Sequence, residues 1–237
     1  MGNKYYTEEY IVVFIDLLGA KDKIASDGGE ALNIVHHAYD ETMDALNRLF
    51  AGTVAASLKP RVKIFSDNIA ICFPVKPKEE YKAFAAAALS SAFIQNQFLH
   101  KRYLVRGGIA LGKCFIDDTM IWGEALAAAY KVESSIAIYP RIVIHPETVD
   151  ALNLALDKRK QAWITQDVDG LFFVDYMKKR FAGKEELYIM NLLSALDDCD
   201  ALIVEAKGNI KVLQKIKWHE NYLVKKLNSL EKDKNYL

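Results

Sequence analysis

The hydrophobic pattern changes period several times along the chain, and each change marks an element. Residues 9–19, EYIVVFIDLLG, form an unbroken β-branched and aromatic run ended by Gly19, which predicts a central strand buried on both faces. Over 30–50, Leu32, Val35, Tyr39, Met43, Leu46 and Leu49 recur every three or four positions and predict an amphipathic helix, with Gly52 and Pro60 marking the return to extended chain. RVKIFS and IAICFP then flank Asp67-Asn68, residue types that tolerate the positive φ of a tight hairpin, so Asp67 is expected at a hairpin tip.

Pro77, Glu79 and Glu80 open a second helix and Lys101-Arg102 close it, in the order the helix dipole favours; Tyr81, Phe84, Ala88 and Phe93 are its expected buried stripe. YLVRGGIALGKCFID reads as a strand pair with Gly107-Gly108 in its first strand, where missing side chains allow close backbone approach. Trp122-Gly123 precede a helix over 124–135, RIVIH (141–145) is a strand, Pro146-Glu147 open a short helix, and AWITQDV and LFFVDYM flank the turn Asp169-Gly170. The order β-α-β-β-α-β predicts an α/β (α+β) fold, a ferredoxin-like palm with an antiparallel sheet and helices on one face. Residues 201–237 carry eight lysines and four acids, with Val212, Leu213, Ile216, Leu223, Leu227 and Leu230 at helical spacing. They predict a C-terminal helical extension docked on the domain or on a second subunit, and we divide the chain into 1–195 and 196–237.

Composition narrows the partners. At 237 residues the chain suits one core with an elaboration, and its 31 basic and 31 acidic side chains cancel. Zero net charge argues against a protein built to grip nucleic acid through phosphates, while leaving room for a patch sized to a triphosphate. Cys72, Cys114 and Cys199 are odd in number and form no CxxC pair, so neither a disulfide framework nor a zinc site is indicated. MGNKYYTEEY carries no secretory pattern, Tyr6 stands where a myristoylation motif wants Ser or Thr, and no apolar run reaches the roughly 20 residues of a membrane span. A cytoplasmic protein without membrane or nucleic-acid partners is expected.

The chemistry centres on two acids. Asp16 ends the first apolar run and Asp67 lies between two apolar strands, where an unpaired carboxylate is costly. Singly, a turn-capping role or a salt bridge to Lys63 accounts for either as well as function does. Together, in a split βαβ sheet, they converge on one point, and two converging carboxylates call for a hard cation such as Mg²⁺ or Mn²⁺ and hence phosphate chemistry. His36, His37, His100, His145 and His219 show no ligand spacing and are read as surface or satisfied residues.

Four segments share a resemblance. FIDLLGAK (14–21) resembles the first metal-binding motif of class III nucleotide cyclases, and KIFSD (63–67) their second, in which Lys precedes a hairpin Asp by four. RGGIALG (106–112) is similar to their next strand, and IWGEALAAAYKVES (121–134) to the Trp-Gly segment and helix that carry their transition-state residues. The motifs occur in the family's order from about residue 9 to 145. Within the superfamily, FIDLLG, FSDN, VRGGIA and IWGEALAAAY...YPRIVIH most resemble the bacterial pyrimidine cyclases of Pycsar antiphage systems, and WHENYLVKKL is similar to their closing helix.

The resemblance implies that Asp16, the main-chain carbonyl of Leu17 and Asp67 hold two Mn²⁺ (or Mg²⁺) ions, and that the ribose 3′-oxygen attacks the α-phosphorus as pyrophosphate leaves. Lys131 stands where the purine cyclases place a transition-state Arg, and Ala127 where they place an Asn. Lys131 would act as a point charge on the α-phosphate, and a solvated helix lysine is an equal account. Lys63 stands at a base-reading position, but its acidic partner is replaced by Met120, which offers almost no hydrogen bonding; this argues against ATP without separating UTP from CTP. Arg106 is a further candidate phosphate contact. For Arg141 a surface position beside a strand is favoured over that role, and Trp122 is read as core.

The function implied is conversion of UTP, with CTP second, to the 3′,5′-cyclic nucleotide and diphosphate. A homodimer with composite sites is expected, its product activating a separate cyclic-nucleotide effector in antiphage defence. The alternatives are a degenerate nucleotide-binding sensor without turnover, suggested by Ala127 and Lys131, and a purine (ATP or GTP) cyclase. An aspartate-nucleophile phosphatase is weaker, because Leu18 stands where it needs a second Asp.

Overall fold

The computed structural model describes residues 4–51, 58, 60–178 and 185–234. Strand β1 (Glu8–Leu18) is the centre of the sheet. Its apolar run fills both faces: Ile11, Val13, Ile15 and Leu17 enter the main core, while Tyr10, Val12 and Phe14 form a second cluster on the opposite side. β1 pairs antiparallel with β3 (Asn68–Pro74) on one flank and with β4 (Leu104–Ile116) on the other. β2 (Arg61–Phe65) pairs with β3, so these four strands lie in the order β2-β3-β1-β4, which is the palm expected from the sequence.

The sheet is mixed rather than antiparallel. β6 (Ile142–Ile144) runs parallel to β4 through Gly107↔Ile142, because the chain returns through β5 (Ile121–Gly123) and α3 (Glu124–Lys131), and a crossover of that length brings the next strand back in the same direction. After the short helix α4 (Pro146–Ala151), the hairpin β7 (Ile164–Gln166) and β8 (Phe172–Val174) closes that edge, with β8 antiparallel to β6. The segment read as a strand pair is one long strand, β4, with β5 folded back on its end.

Helices cover both faces, which corrects the one-face expectation. α1 (Ala20–Phe50), α2 (Glu80–His100), α5 (Glu185–Glu205) and α6 (Ile210–Lys234) bury residues in the main core, while α3 packs on the second cluster through Ala125 and Ala129. α1 starts ten residues before the predicted 30 and breaks at Asp27 (φ −154°), whose carboxylate accepts from Glu30 N at 3.0 Å and caps the longer segment. Its inward stripe runs through Ala31, Ile34, Val35 and Ala38; Leu32 is exposed, and the side chains of Leu46 and Leu49, like Gly52, lie outside the described residues. α2 starts at Glu80, three residues after Pro77, and is apolar enough to be packed by α1, the sheet and α5. α6 buries Ile216, Leu223 and Leu230 against the domain and lies along α5.

Candidate active site

The hairpin between β2 and β3 turns at Ser66 and Asp67, with Ser66 rather than Asp67 or Asn68 taking the positive φ of 58°. Asn68 is already strand, opposite Asp16 of β1. The tip is tied to β1 by Leu17 N donating to Asp67 O at 3.0 Å. In an antiparallel strand the N–H and C=O of one residue point to the same neighbour, so the Leu17 carbonyl is also directed at the tip. Asp16, Leu17 and Asp67 therefore meet at one end of the sheet, both carboxylates half-buried.

Asp16 also faces Arg106 across the β1–β4 pair. Arg106 Nε donates to Asp16 Oδ2 at 3.0 Å, and Nη2 lies 2.7 Å from Oε1 of Glu133 as an ion pair without hydrogen-bond alignment. Glu133 is only 3% exposed and sits in a π-helical turn, Val132–Ile136, that continues α3. π-turns occur disproportionately at functional sites. Burial pushes the Glu133 carboxyl above its ordinary value against the pull of Arg106, and the charges of Asp16 and Asp67 push it further.

Two glycines in β4 make this approach possible. A Cβ at Gly108 would stand 2.1 Å from the Ala129 carbonyl oxygen and 2.8 Å from Val132 Cβ, and one at Gly107 2.4 Å from the Phe14 carbonyl oxygen. α3 thus rides directly on the β4 backbone and delivers Glu133 to Arg106.

The donor set at the β1 end is two carboxylates and a main-chain carbonyl, all hard oxygens, which fits Mg²⁺ or Mn²⁺. Asp16 is bonded through Oδ2, and Asp67 accepts from Asn68 Nδ2 through Oδ1 at 3.2 Å, so each keeps an oxygen outside these bonds. Among the described residues no group of three or more His, Cys, Asp or Glu gathers around one point. The remaining ligands of such an ion would be water and phosphate oxygens, as is usual for Mg²⁺.

Lys63 reaches the β4–β5 turn that carries Met120. Asp117 braces that turn by accepting from Thr119 N and Met120 N, both at 2.8 Å, and those bonds hold its carboxyl below the usual range. Lys63 Nζ donates to the Asp118 carbonyl, two residues from Met120, whose side chain is 46% exposed. Lys131 ends α3 on its exposed side, and no hydrogen bond or ion pair among the described residues joins it to Asp16 or Asp67.

Two expectations fail. Arg141 is neither a surface residue nor free for phosphate: it is 2% exposed, paired with Asp167 and Asp169 of the β7–β8 turn, and surrounded by Tyr139, Phe173 and Trp218. Trp122 is 69% exposed rather than core. It borders an apolar groove of about 570 Å³ with Phe14, Phe65, Leu126 and Tyr130. Of the histidines, His36 pairs with Asp40, His100 lies between Asp198 and Asn191, and His219 is buried against Tyr176.

Sequence reasoning missed Glu133 and Lys215. Lys215 of α6 is half-buried, and its amine is held below its ordinary value by burial first and by the Arg106 charge second, while Asp16 and Glu133 pull the other way. For Glu133 a signal existed: the small residues Ala125 and Ala129, which lie over Gly112 and Gly108, predict close helix–strand approach, with Gly108 two residues from Arg106. Nothing local points to Lys215.

No known protein-family description matches the chain, and no curated protein does. Solved structures similar to it include a class III adenylyl cyclase-like ATP-binding protein from Pseudomonas aeruginosa, at TM-score 0.43 and 14% identity over 61% of this chain and 35% of that one. Others are an adenylate/guanylate cyclase/hydrolase from Silicibacter pomeroyi (TM-score 0.46, 16% identity, 72% and 96% covered) and the guanylyl cyclase Cya2 (0.43, 12%, 73% and 93%). The chain thus spans about a third of the first of these.

Proposed function

We propose that the chain is a nucleotidyl cyclase acting on a ribonucleoside triphosphate. The observation that carries this reading is the meeting of Asp16, the Leu17 carbonyl and Asp67 at the end of β1, with Arg106 beside them. Asp16, Leu17 and Asp67 would hold Mn²⁺ or Mg²⁺, which when bound lowers the pKa of the ribose 3′-hydroxyl and neutralises the triphosphate. The Leu17–Asp67 backbone bond fixes the hairpin tip against β1, so the two carboxylates keep their spacing. Arg106 holds Asp16 in place and stands ready as a phosphate contact, its guanidinium carrying more donors than its two acids use. The 3′-oxygen attacks the α-phosphorus, its proton is lost to solvent, and pyrophosphate leaves.

The site is completed by a second copy in this reading. Ala127, Tyr130 and Lys131 lie on the uncovered side of α3, next to the apolar groove that includes Trp122 and Phe65, and a symmetric partner would bury that groove and bring its Lys131 to the α-phosphate. The substrate we favour is a pyrimidine triphosphate, because Met120 offers almost no hydrogen bonding where Lys63 meets the β4–β5 turn; placing UTP before CTP rests on the sequence resemblance alone. Signalling by the cyclic product to a separate antiphage effector follows from the sequence resemblance. A second reading, a nucleotide-binding domain without turnover, is favoured by Ala127, which supplies no side-chain donor for the ribose; a purine cyclase is the remaining alternative.

The deciding experiment incubates the protein with each of the four ribonucleoside triphosphates and Mn²⁺, reading pyrophosphate release and the mass of the product. A cyclic pyrimidine monophosphate is expected. Cyclic AMP or GMP would replace the substrate assignment, and binding without pyrophosphate would replace the cyclase by a sensor.

A further inference from the structure

A cleft of about 380 Å³ opens between the β1–α1 turn and the α5–α6 turn. Its cations are Lys23, Arg102, Lys207 and Lys215; its acids are Asp22 and Glu205. Two of the cations are committed. Lys23 Nζ donates to the Arg102 carbonyl at 2.8 Å and lies 4.0 Å above the Tyr103 ring, and Arg102 pairs with Glu205 at 3.1 Å. Lys215 makes no ion pair among the described residues, yet it is half-buried and close enough to Arg106 for the two charges to repel.

A half-buried ammonium beside a guanidinium is unfavourable unless an anion joins them. The Asp16 and Glu133 charges offset part of that cost, but both pair with Arg106, and among the described residues no ion pair joins either of them to Lys215. Leu18 and Gly19, which follow the proposed metal-binding residues of β1, line a wall of the same cleft as Lys215. An anion held near Asp16 by metal and Arg106 would extend along that wall towards the amine.

We propose that this cleft seats the terminal phosphates of the nucleoside triphosphate, and then the departing pyrophosphate, with Lys215 of α6 in direct contact with them. The inference rests on the cyclase reading and adds to it a cation from the C-terminal extension, outside every motif of the sequence. The C-terminal helices then help to bind substrate, because α6 carries the residue that meets the leaving group.

Calorimetric titration of the full chain with inorganic tripolyphosphate and Mg²⁺ tests this without turnover. Lys215→Gln is expected to weaken binding about tenfold, the scale of one charge-assisted contact, and Lys215→Arg to retain it. Lys217→Gln, an exposed neighbour paired with Glu220, should leave it unchanged. Absence of binding by the wild-type chain, equal binding by Lys215→Gln, or equal weakening by Lys217→Gln overturns the proposal. If tripolyphosphate binds through Lys215 but no nucleotide yields pyrophosphate, the cleft stands and the cyclase reading falls. If a nucleotide is cyclised with the same KM by Lys215→Gln, the reverse holds.

Discussion

Arg106 and Glu133 form an ion pair at 2.7 Å in which the acid is almost fully buried, and the same guanidinium bonds Asp16 at 3.0 Å. One cation therefore joins the end of β1 to the turn after α3. Replacing Glu133 with Gln leaves a partly buried Arg106 with a single acid, and a stability loss of about 1–3 kcal/mol is expected in urea unfolding. An unchanged midpoint would show that the pair carries no stability.

Asp16→Asn and Asp67→Asn should each weaken Mn²⁺ binding by about tenfold or more, since each removes one of the two anionic ligands we propose. Free Mn²⁺ counted by electron paramagnetic resonance gives the affinity, and circular dichroism checks the fold. Pyrophosphate release should vanish in both; full activity in either variant sinks the two-carboxylate site.

Gly108→Ala places a methyl where 2.1 Å separates it from the Ala129 carbonyl, so α3 must lift from β4. A loss of about 3 kcal/mol is expected, together with loss of activity as Glu133 moves away from Arg106. Gly28→Ala meets nothing nearer than 3.9 Å and should change stability by less than about 1 kcal/mol. Equal effects of the two would remove the close-approach argument.

Arg141→Met should destabilise the chain by about 3 kcal/mol, because it leaves Asp167 and Asp169 without the buried cation that both bond. Tripolyphosphate affinity should not change. A selective loss of phosphate binding without loss of stability would restore Arg141 as a ligand contact.

His219 predicts a pH dependence. Burial lowers its pKa from the ordinary 6.5 to about 4, outweighing the Pro140 carbonyl beside it, and Tyr176 OH lies 2.7 Å from Nε2. The unfolded chain therefore binds more protons between those values, and stability should fall as pH drops from 6.5 towards 4, by roughly 3 kcal/mol at most. His219→Gln should flatten that slope in denaturant titrations across the window; an unchanged slope would assign it to other groups.

Much of the palm was legible in advance. The run over 9–19 could only be a strand buried on both faces, and the hairpin acid and the Gly107-Gly108 step were visible because each depends on a few adjacent residues. The errors follow the same logic. Asp67-Asn68 was read as the turn because both types tolerate positive φ, but the Asn68 pairing with Asp16 shifted the turn back by one residue. Leu32 matched the helical period yet faces solvent, because the small residues Ala31 and Ala38, which an apolar period read from large side chains passes over, lie on the inward stripe.

Sequence by itself determined that the first strand is buried on both faces, where β4 needs glycine, and that one aspartate lies near the end of that strand and another at a hairpin tip. Only the tertiary structure decided their partners. Periodicity reports that a face is covered without naming what covers it, so the burial of Arg141 and the exposure of Trp122 depended on packing between distant segments. Arg106 and Glu133 are joined across the α3 crossover, and Lys215 arrives from a helix near the other end of the chain. Contacts of that kind exist only once the chain has closed on itself, and at this site they supply most of the charge around Asp16.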